Sequence, residues 1–367
     1  MRHVLFLCLL ASFSSIYSAA ESFGFSSQGG NNAPTNADQA AYSRKPEANT
    51  LYIQGLQYLR KGDSRIAGGS MLNAKKALNL FRQAARKDPQ FALAYIGQAD
   101  ALDALSFSVA GGAAPGKIYR RQETAALKAV ELDDSLLQAH SLLAEVYYDN
   151  AYDWPKAEKE LKRVIELSPN SVMAHTRYAF FLATMGRFEE AEAQVKLAQT
   201  MDERSAAPNR AMLQILYWQH KDDEAVAQGL EALTKDKDNR ATHFFLGFVY
   251  LHQGQFTKGI EEMKRGSFGD ADSLAALAYA YAAAGDKTEV ENTLAQLKHH
   301  PAYDRVPYGL AEVYIALHDK GRAIRLIEKA YQQRSNRMNR LKVDPIMDPL
   351  RQEPRFKRLM RKMNFQR

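Results

Sequence analysis

Residues 240–263 read RATHFFLGFVYLHQGQFTKGIEEM, and this stretch decides the fold. A large residue, a small residue and an aromatic residue follow each other at helical spacing in Leu246, Gly247 and Tyr250. This order predicts a helix that another helix can approach closely at the small residue. Gly259 then opens a second apolar segment of helical period. The stretch therefore predicts two antiparallel helices that cross where their side chains are small.

The same pattern recurs along the chain at about 34 residues. The first landmark, a large residue before a small one with Tyr or Leu three positions later, also occurs at Leu143-Ala144, Tyr178-Ala179, Leu277-Ala278 and Leu310-Ala311. The second landmark, which opens the second helix, falls at Ala157, Ala191, Ala225, Gly259, Val290 and Ala323. Gly186 and Gly254 stand between two landmarks, where the end of a helix needs a positive φ. The repeat predicts an all-α fold, a right-handed superhelical solenoid of about eight helix pairs.

These residues resemble tetratricopeptide repeats over residues 47–332. More narrowly, Asp153-Trp154, Gly186-Arg187-Phe188 and the closing residues 341–356 are similar to the repeat arrays attached to bacterial winged-helix regulators, cyclases and Ser/Thr kinases. The resemblance implies a scaffold that binds peptides or proteins and implies no catalysis. Here a targeting segment, not a regulatory domain, precedes the repeats.

That targeting segment is predicted at residues 1–20. Arg2 and His3 precede an apolar run, and Ser18, Ala19 and Ala20 are the small residues that signal peptidase prefers. We therefore expect a cleaved signal peptide and a periplasmic or secreted protein in a bacterial host. Residues 21–46 are rich in Ser, Gly, Asn and Ala, so we expect a disordered leader. No later stretch predicts a membrane span.

Positive charge is concentrated at the C-terminal end. Residues 320–367 hold 15 Lys and Arg against 4 Asp and Glu, in a chain of net charge +7. We expect residues 333–367 to form a basic capping segment, whose apolar residues Phe356, Leu359, Met360 and Met363 seal the last repeat. The alternative is an anionic surface site for lipid or polysaccharide, formed by Arg351, Arg355, Lys357, Arg358, Arg361 and Lys362. Nucleic acid is disfavoured by the expected export.

Motifs for catalysis, metals and cofactors are weak. Residues 111–117 match the spacing of a phosphate-binding loop, but Ile118 replaces the Ser or Thr that would meet magnesium, so we expect a connecting loop. His140, His175 and His243 occupy one equivalent repeat position, but neighbouring repeats are too far apart to share an ion. We interpret them as packing residues at the seam between repeats. We expect no enzyme, no cofactor and no metal.

A concave groove lined by the first helices is the remaining candidate site. The inward positions are mostly aromatic, and they are Glu145, Tyr148, Phe180, Arg210, Tyr217, Trp218, Phe244, Phe248, Tyr279 and Tyr308. Aromatic residues are enriched among interface hot spots, so an extended peptide or a protein is the expected partner. The alternative is that about half of the set fills the seam between repeats.

The resemblance and the groove together predict a non-enzymatic scaffold that organises protein complexes in the bacterial envelope. The alternative function is a sensory or regulatory subunit that relays ligand binding to a separate membrane partner. A scaffold keeps its shape when a ligand binds, whereas a sensor changes its curvature.

Overall fold

A computed structural model describes residues 43–62, 67–108 and 115–365 of the chain. Every regular element within these ranges is helical. The chain divides into two compact units, and each is described by itself. The described residues 43–169 form the front unit, and residues 170–365 form the back unit. Among the described residues, none of the helices combines the length and the apolar composition that crossing a bilayer requires. The predicted signal peptide and most of the predicted leader lie outside the described residues.

The front unit contains three helix pairs. Their helices are α1 Pro46–Gly62, α2 Ala67–Lys87, α3 Ala92–Ser108, α4 Pro115–Leu132, α5 Leu137–Glu145 and α6 Trp154–Leu167. A π-helical turn, Val146–Ala151, continues α5. The sequence gives no warning of this turn. Residue Ser43, which we assigned to the leader, is buried, and its hydroxyl donates a hydrogen bond to Asp88 at 2.5 Å.

The back unit contains five helix pairs and a final helix. Its helices are α7 Val172–Thr184, α8 Phe188–Met201, α9 Ala207–Trp218, α10 Asp222–Lys235, α11 Arg240–His252, α12 Phe256–Gly266, α13 Ala271–Ala284, α14 Lys287–His299, α15 Pro307–Ala316, α16 Lys320–Gln332 and α17 Pro354–Lys362. Short 3₁₀ turns lie at Tyr303–Arg305, Asn336–Arg340 and Pro345–Leu350. The predicted all-α class and its eight pairs are confirmed.

Local capping chemistry sets the helix ends. Ser171, Asn239 and Asp270 each begin a first helix, and their side-chain oxygens accept a bond from a backbone N–H three residues later. At the other end, Gly186 and Gly254 have φ of 81° and 75°, as expected from the sequence. His220 and His318 adopt the same left-handed conformation, with φ of 59° and 60°, in which histidine is more frequent than most residues other than glycine.

The small residues lie at the predicted helix crossing. A Cβ added to Gly259 would be 3.0 Å from the carbonyl oxygen of Gly247, and one added to Gly247 would overlap Met263. Backbone therefore meets backbone where α11 crosses α12, and even one methyl group must push the helices apart. Phe81 serves the front unit in a related way, because its ring fills the space beside Gly55 and Gly97.

The front unit also contains a pair of half-buried carboxyl groups on α3. Burial raises the pKa of Asp100 to about 7, and the neighbouring Asp103 adds to that shift. Burial also raises the pKa of Asp103 to about 6, while a 3.4 Å hydrogen bond from the Gln122 amide opposes the change. Folding therefore shifts both carboxyl groups towards the protonated form.

We predict that Gly247→Ala lowers the stability of the back unit by about 1–3 kcal/mol, because the added methyl group overpacks the crossing. Thermal melting followed by circular dichroism measures the change. Gly321→Ala is the matched control. A Cβ at this helical glycine would lie 3.5 Å from its nearest neighbour, Asp319, so the methyl group fits without overlap. Equal effects of the two substitutions would contradict the role of the crossing.

A second prediction concerns pH. A carboxyl group whose pKa is raised on folding stabilises the fold at low pH, and that contribution is lost as pH rises through the folded pKa. Asp100→Asn should therefore raise the melting temperature at pH 8 by about 2–6 °C and by clearly less at pH 5, since the window of lost stability runs from about pH 4 to about pH 7. Asp238→Asn, at an exposed position, is the control. An unchanged difference between pH 5 and pH 8 in the Asp100 variant would refute the assignment.

Candidate functional site

The first helices of the back unit share a row of equivalent residues, which we call the first-helix face. The row consists of Phe180, Gln214, Phe248, Tyr279 and Glu312, from α7, α9, α11, α13 and α15. Residues of neighbouring pairs meet along it, because the rings of Phe248 and Tyr279 lie 6.0 Å apart. The face is therefore continuous across the pairs of this unit.

Aromatic contacts stabilise this face in two places. Phe180 and Trp218 meet edge to face with their ring centroids 6.0 Å apart. Phe244 lies edge to face against Phe248 at 5.3 Å. Such geometries contribute beyond simple burial of apolar area. Phe180, Trp218, Phe244 and Tyr279 are all half-buried, so part of each ring remains open to solvent.

Residues 336–351, which we call the C-terminal segment, lie on the first-helix face. At α7, the Lys342 ammonium donates to the carbonyl oxygen of Met185 at 2.9 Å. At α13, Nη1 of Arg337 lies 3.3 Å from Oδ1 of Asp272. Since these contacts reach from the first pair of the back unit to its fourth, one short segment joins most of the unit.

The segment is fixed to α15 by a buried cluster of charges. Arg340 Nη2 donates to Glu312 Oε1 at 3.0 Å, and Arg340 Nε lies 3.0 Å from Asp344 Oδ2. The hydroxyl of Tyr308 donates to the same Asp344 oxygen at 2.9 Å. Burial raises the pKa of Tyr308 well above its usual range, so its hydroxyl stays a donor. Burial also raises the pKa of Glu312, although Arg337 and Arg340 oppose the shift.

The cluster is not fully hydrogen-bonded. Glu312 Oε2, Arg337 Nη1 and Arg340 Nε are buried and have no hydrogen-bond partner. The nearest charges are close enough for Coulomb attraction, as in the 3.7 Å approach of Arg337 to Glu312. A buried charged atom without a hydrogen bond costs free energy, so the fit between segment and face is imperfect.

Apolar side chains supply the rest of the attachment. Met338, Leu341, Met347 and Leu350 have no measurable exposure. Arg351 closes the segment on itself, because its guanidinium donates to the carbonyl oxygens of Lys342 and Asp344 at 2.6 and 3.1 Å. The segment is therefore a folded element with its own apolar side, and its burial is the main stabilising term.

The structure sorts the predicted groove residues into two groups. Three of them, Tyr217, Phe248 and Tyr308, are buried, so the prediction that they face a partner is wrong for this state of the chain. Tyr308 is covered by the C-terminal segment, and Phe248 is covered by its aromatic neighbours. The half-buried members are Glu145, Tyr148, Phe180, Arg210, Trp218, Phe244 and Tyr279.

Glu145 and Tyr148 belong to the front unit and lie at the π-helical turn. This turn places Asp149 and Asn150 in buried positions, and the ring of Tyr148 lies 6.1 Å from that of Trp154. Single π turns often mark functional places in helices. The structure therefore brings together the back-unit members of the predicted set, whereas these two stand in a separate unit.

The predicted anionic surface is smaller than expected. Arg351 is engaged within the C-terminal segment, as described above, and its Nε lies 2.5 Å from Asp348. Arg355 forms a two-point ion pair with Glu328 at 3.1 and 2.6 Å, which neutralises its charge. Both residues therefore have acidic partners within the chain, and their part in an anionic surface stays a prediction. Lys357, Arg358, Arg361 and Lys362 remain exposed on α17, opposite the apolar stripe of Phe356, Leu359 and Met363.

The histidines of the equivalent position bridge the two helices of one pair. Nδ1 of His140 lies 2.6 Å from Glu160, and Nδ1 of His243 lies 2.5 Å from Glu262. His175 meets Gln194 at 2.7 Å in the same manner. The partner stands 19 or 20 positions later, on the second helix of the same pair. On the other side of the ring, Nε2 of His140 and of His243 lies 3.0 Å from the carbonyl oxygens of Asp134 and Lys237, in the turns that lead from the preceding pair. Among the described residues, no three His, Cys, Asp or Glu side chains are grouped as a metal site.

The phosphate-loop-like stretch connects α3 to α4. Residues 109–114 lie outside the described residues, and α4 begins at Pro115. Lys117 is an exposed residue of that helix.

Sequence reasoning missed the C-terminal segment as an occupant of the face. We assigned residues 333–367 to an end cap, and α17 does pack on the last pair. The signal that could have revealed the segment is the apolar spacing of Met338, Leu341, Met347 and Leu350, in a stretch that two prolines prevent from being a regular helix. A buried chain without a regular helix has to lie against another surface.

Comparison with known proteins supports the fold. The structure is similar to a tetratricopeptide-repeat protein from Parabacteroides merdae, with TM-score 0.57, 12% identity, and coverage of 76% of this chain and 100% of that one. It is also similar to yeast Tom70, with TM-score 0.57, 16% identity, and coverage of 90% of this chain and 70% of that one. By sequence, the chain matches no protein-family model and no curated protein.

Proposed function

From the tetratricopeptide-repeat fold that this chain has, we propose that it is a non-enzymatic scaffold that binds segments of other proteins. The observation that carries the proposal is the row of half-exposed aromatic side chains on the first-helix face. Phe180, Trp218, Phe244 and Tyr279 combine large contact area with few rotatable bonds, as hot-spot residues of interfaces do. The partner class is an extended peptide or a protein surface.

The non-enzymatic part of the proposal rests on how the buried charges are used. Glu312 of the face and Asp344 of the C-terminal segment are buried carboxylates, and both are engaged by Arg340. An acid or base for catalysis has to reach a substrate proton within hydrogen-bond distance. Here the C-terminal segment occupies that position instead.

We also propose that the protein acts outside the cytoplasm, in a bacterial envelope. The support is the sequence of residues 1–20, in which basic residues, an apolar run and small residues follow each other. The exposed basic residues Lys357, Arg358, Arg361 and Lys362 suit anionic lipid or polysaccharide there. The same four residues lie on the polar face of an amphipathic helix, where exposure to water alone also accounts for them.

The alternative function, a sensory or regulatory subunit, is favoured by one observation. The C-terminal segment touches α7 through Lys342 and α15 through Arg340. A ligand that displaced the segment would release both ends of the unit together, which is how a change in shape could be relayed.

The scaffold proposal predicts loss of a partner when the exposed aromatic rings are removed. Trp218→Ala with Phe244→Ala should weaken capture of a defined protein from envelope extract by about tenfold or more. The matched control is Leu197→Ala with Leu230→Ala, which removes apolar residues that are 43% and 50% exposed on second helices. All variants are checked for helical circular dichroism. Loss of capture in both double variants, or in neither, would count against this face.

Export predicts a new N-terminus. The chain expressed in a Gram-negative host should be recovered outside the cytoplasm and begin at Glu21, as read by mass spectrometry of the intact protein. Leu9→Arg with Leu10→Arg should keep it in the cytoplasm with residues 1–20 attached, because charge destroys the apolar run. Recovery of the unsubstituted chain in the cytoplasm with Met1 or Arg2 present would overturn the proposal.

A further inference from the structure

The C-terminal segment lies on the same first-helix face on which the proposed function places a partner, beside the aromatic part that remains open. It consists of two short 3₁₀ turns with no α-helix, it packs on first helices, and it presents both apolar and charged anchors. Its contacts therefore report the chemistry that the face recognises. We propose that the first-helix face of the back unit binds an external peptide of the same pattern, two arginines three residues apart and an aspartate four residues after the second. The peptide replaces the chain's own segment. This inference rests on the proposed function.

The face supplies acceptors for the two arginines. Asp272 lies 3.3 Å from the Arg337 guanidinium, and Glu312 accepts from Arg340 at 3.0 Å. The ring of Tyr308 lies beneath both, with the guanidinium carbons of Arg337 and Arg340 at 5.6 and 5.1 Å from its centroid. A planar guanidinium matches this combination of carboxylate and aromatic ring better than an ammonium does.

The face also supplies a donor for the aspartate. The hydroxyl of Tyr308 donates to Asp344 at 2.9 Å. This tyrosine is fully buried beneath the segment, and its raised pKa keeps the proton on the oxygen. The same residue thus serves the arginines through its ring and the aspartate through its hydroxyl, which fixes the spacing between the three charges.

The internal segment is a replaceable occupant because its charges are incompletely satisfied. Arg337 Nη1 and Arg340 Nε approach carboxylate oxygens at 3.3 and 3.0 Å without hydrogen-bond geometry, and Glu312 Oε2 has Arg337 only at 3.7 Å. A segment joined to α16 on one side and α17 on the other cannot adjust freely to the face. A free peptide of the same pattern is not restrained at its ends, so it can align its guanidinium groups with the carboxylates of the face. Tethering raises the effective concentration of the internal segment, so it holds the face until such a peptide is present.

The test uses a fluorescent synthetic peptide of residues 333–353 as the probe. The full chain with Arg340→Ala and Asp344→Ala has a weakened segment but an intact face. It should bind the peptide at least about tenfold more tightly than the unsubstituted chain, as measured by fluorescence anisotropy. Adding Glu312→Gln to this variant, or replacing both arginines of the peptide by alanine, should each remove about tenfold or more of the affinity.

A milder variant guards against loss of folding. Lys342→Ala removes the bond to the carbonyl oxygen of Met185, leaves Arg337, Arg340, Asp344 and Glu312 in place, and should show a smaller gain in affinity with unchanged helical circular dichroism. If the folded variants bind neither peptide, or bind the natural and arginine-free peptides equally, the inference is wrong. Capture of a partner that depends on Trp218 and Phe244 would survive that result, so the two proposals fail separately.

Discussion

The packing of helix pairs in this chain depends on how closely their two helices can cross. At Gly247 and Gly259 the backbone of one helix lies against the backbone of the next, and at Gly55 and Gly97 a single phenylalanine ring fills the gap. A tight crossing fixes the relative position of the two helices in a pair. Because each pair leaves an apolar side uncovered, the next pair has to pack on it, and first helices come to share one face. In four of the pairs, a histidine or asparagine on the first helix also hydrogen-bonds with a carboxylate or amide on the second.

The first-helix face can bind a partner, but its apolar surface is unfavourable when it is exposed to water. An open row of aromatic and acidic side chains in the back unit would expose apolar surface and leave Glu312 facing water. The chain's own C-terminal segment covers part of it, with Tyr308, Glu312, Arg340 and Asp344 at the centre. What remains open is the aromatic part around Trp218 and Phe244. The face that we propose for binding is therefore partly covered by the chain's own C-terminal segment.

The sequence was sufficient for the repeat and insufficient for the site. Spacing of about 34 residues depends on local packing rules, and it correctly predicted eight pairs and the positive φ of Gly186 and Gly254. The burial of Tyr308 depends on Asp344, which is 36 residues away and lies in a stretch with no repeat pattern. Likewise, nothing near Met185 indicates that Lys342, 157 residues later, donates to its carbonyl oxygen. Long-range contacts of an irregular segment leave no periodic signal.

The central claim is that residues 336–351 are folded onto the first-helix face of the back unit. Hydrogen exchange of the unsubstituted chain, read by mass spectrometry of its peptic fragments, tests it most directly. The amides of Leu341, Val343, Asp344 and Met347 are hydrogen-bonded within the covered segment, so they should exchange at least about a hundredfold more slowly than in the free peptide. Exchange at the rate of the free peptide, with α15 still protected, would contradict the account.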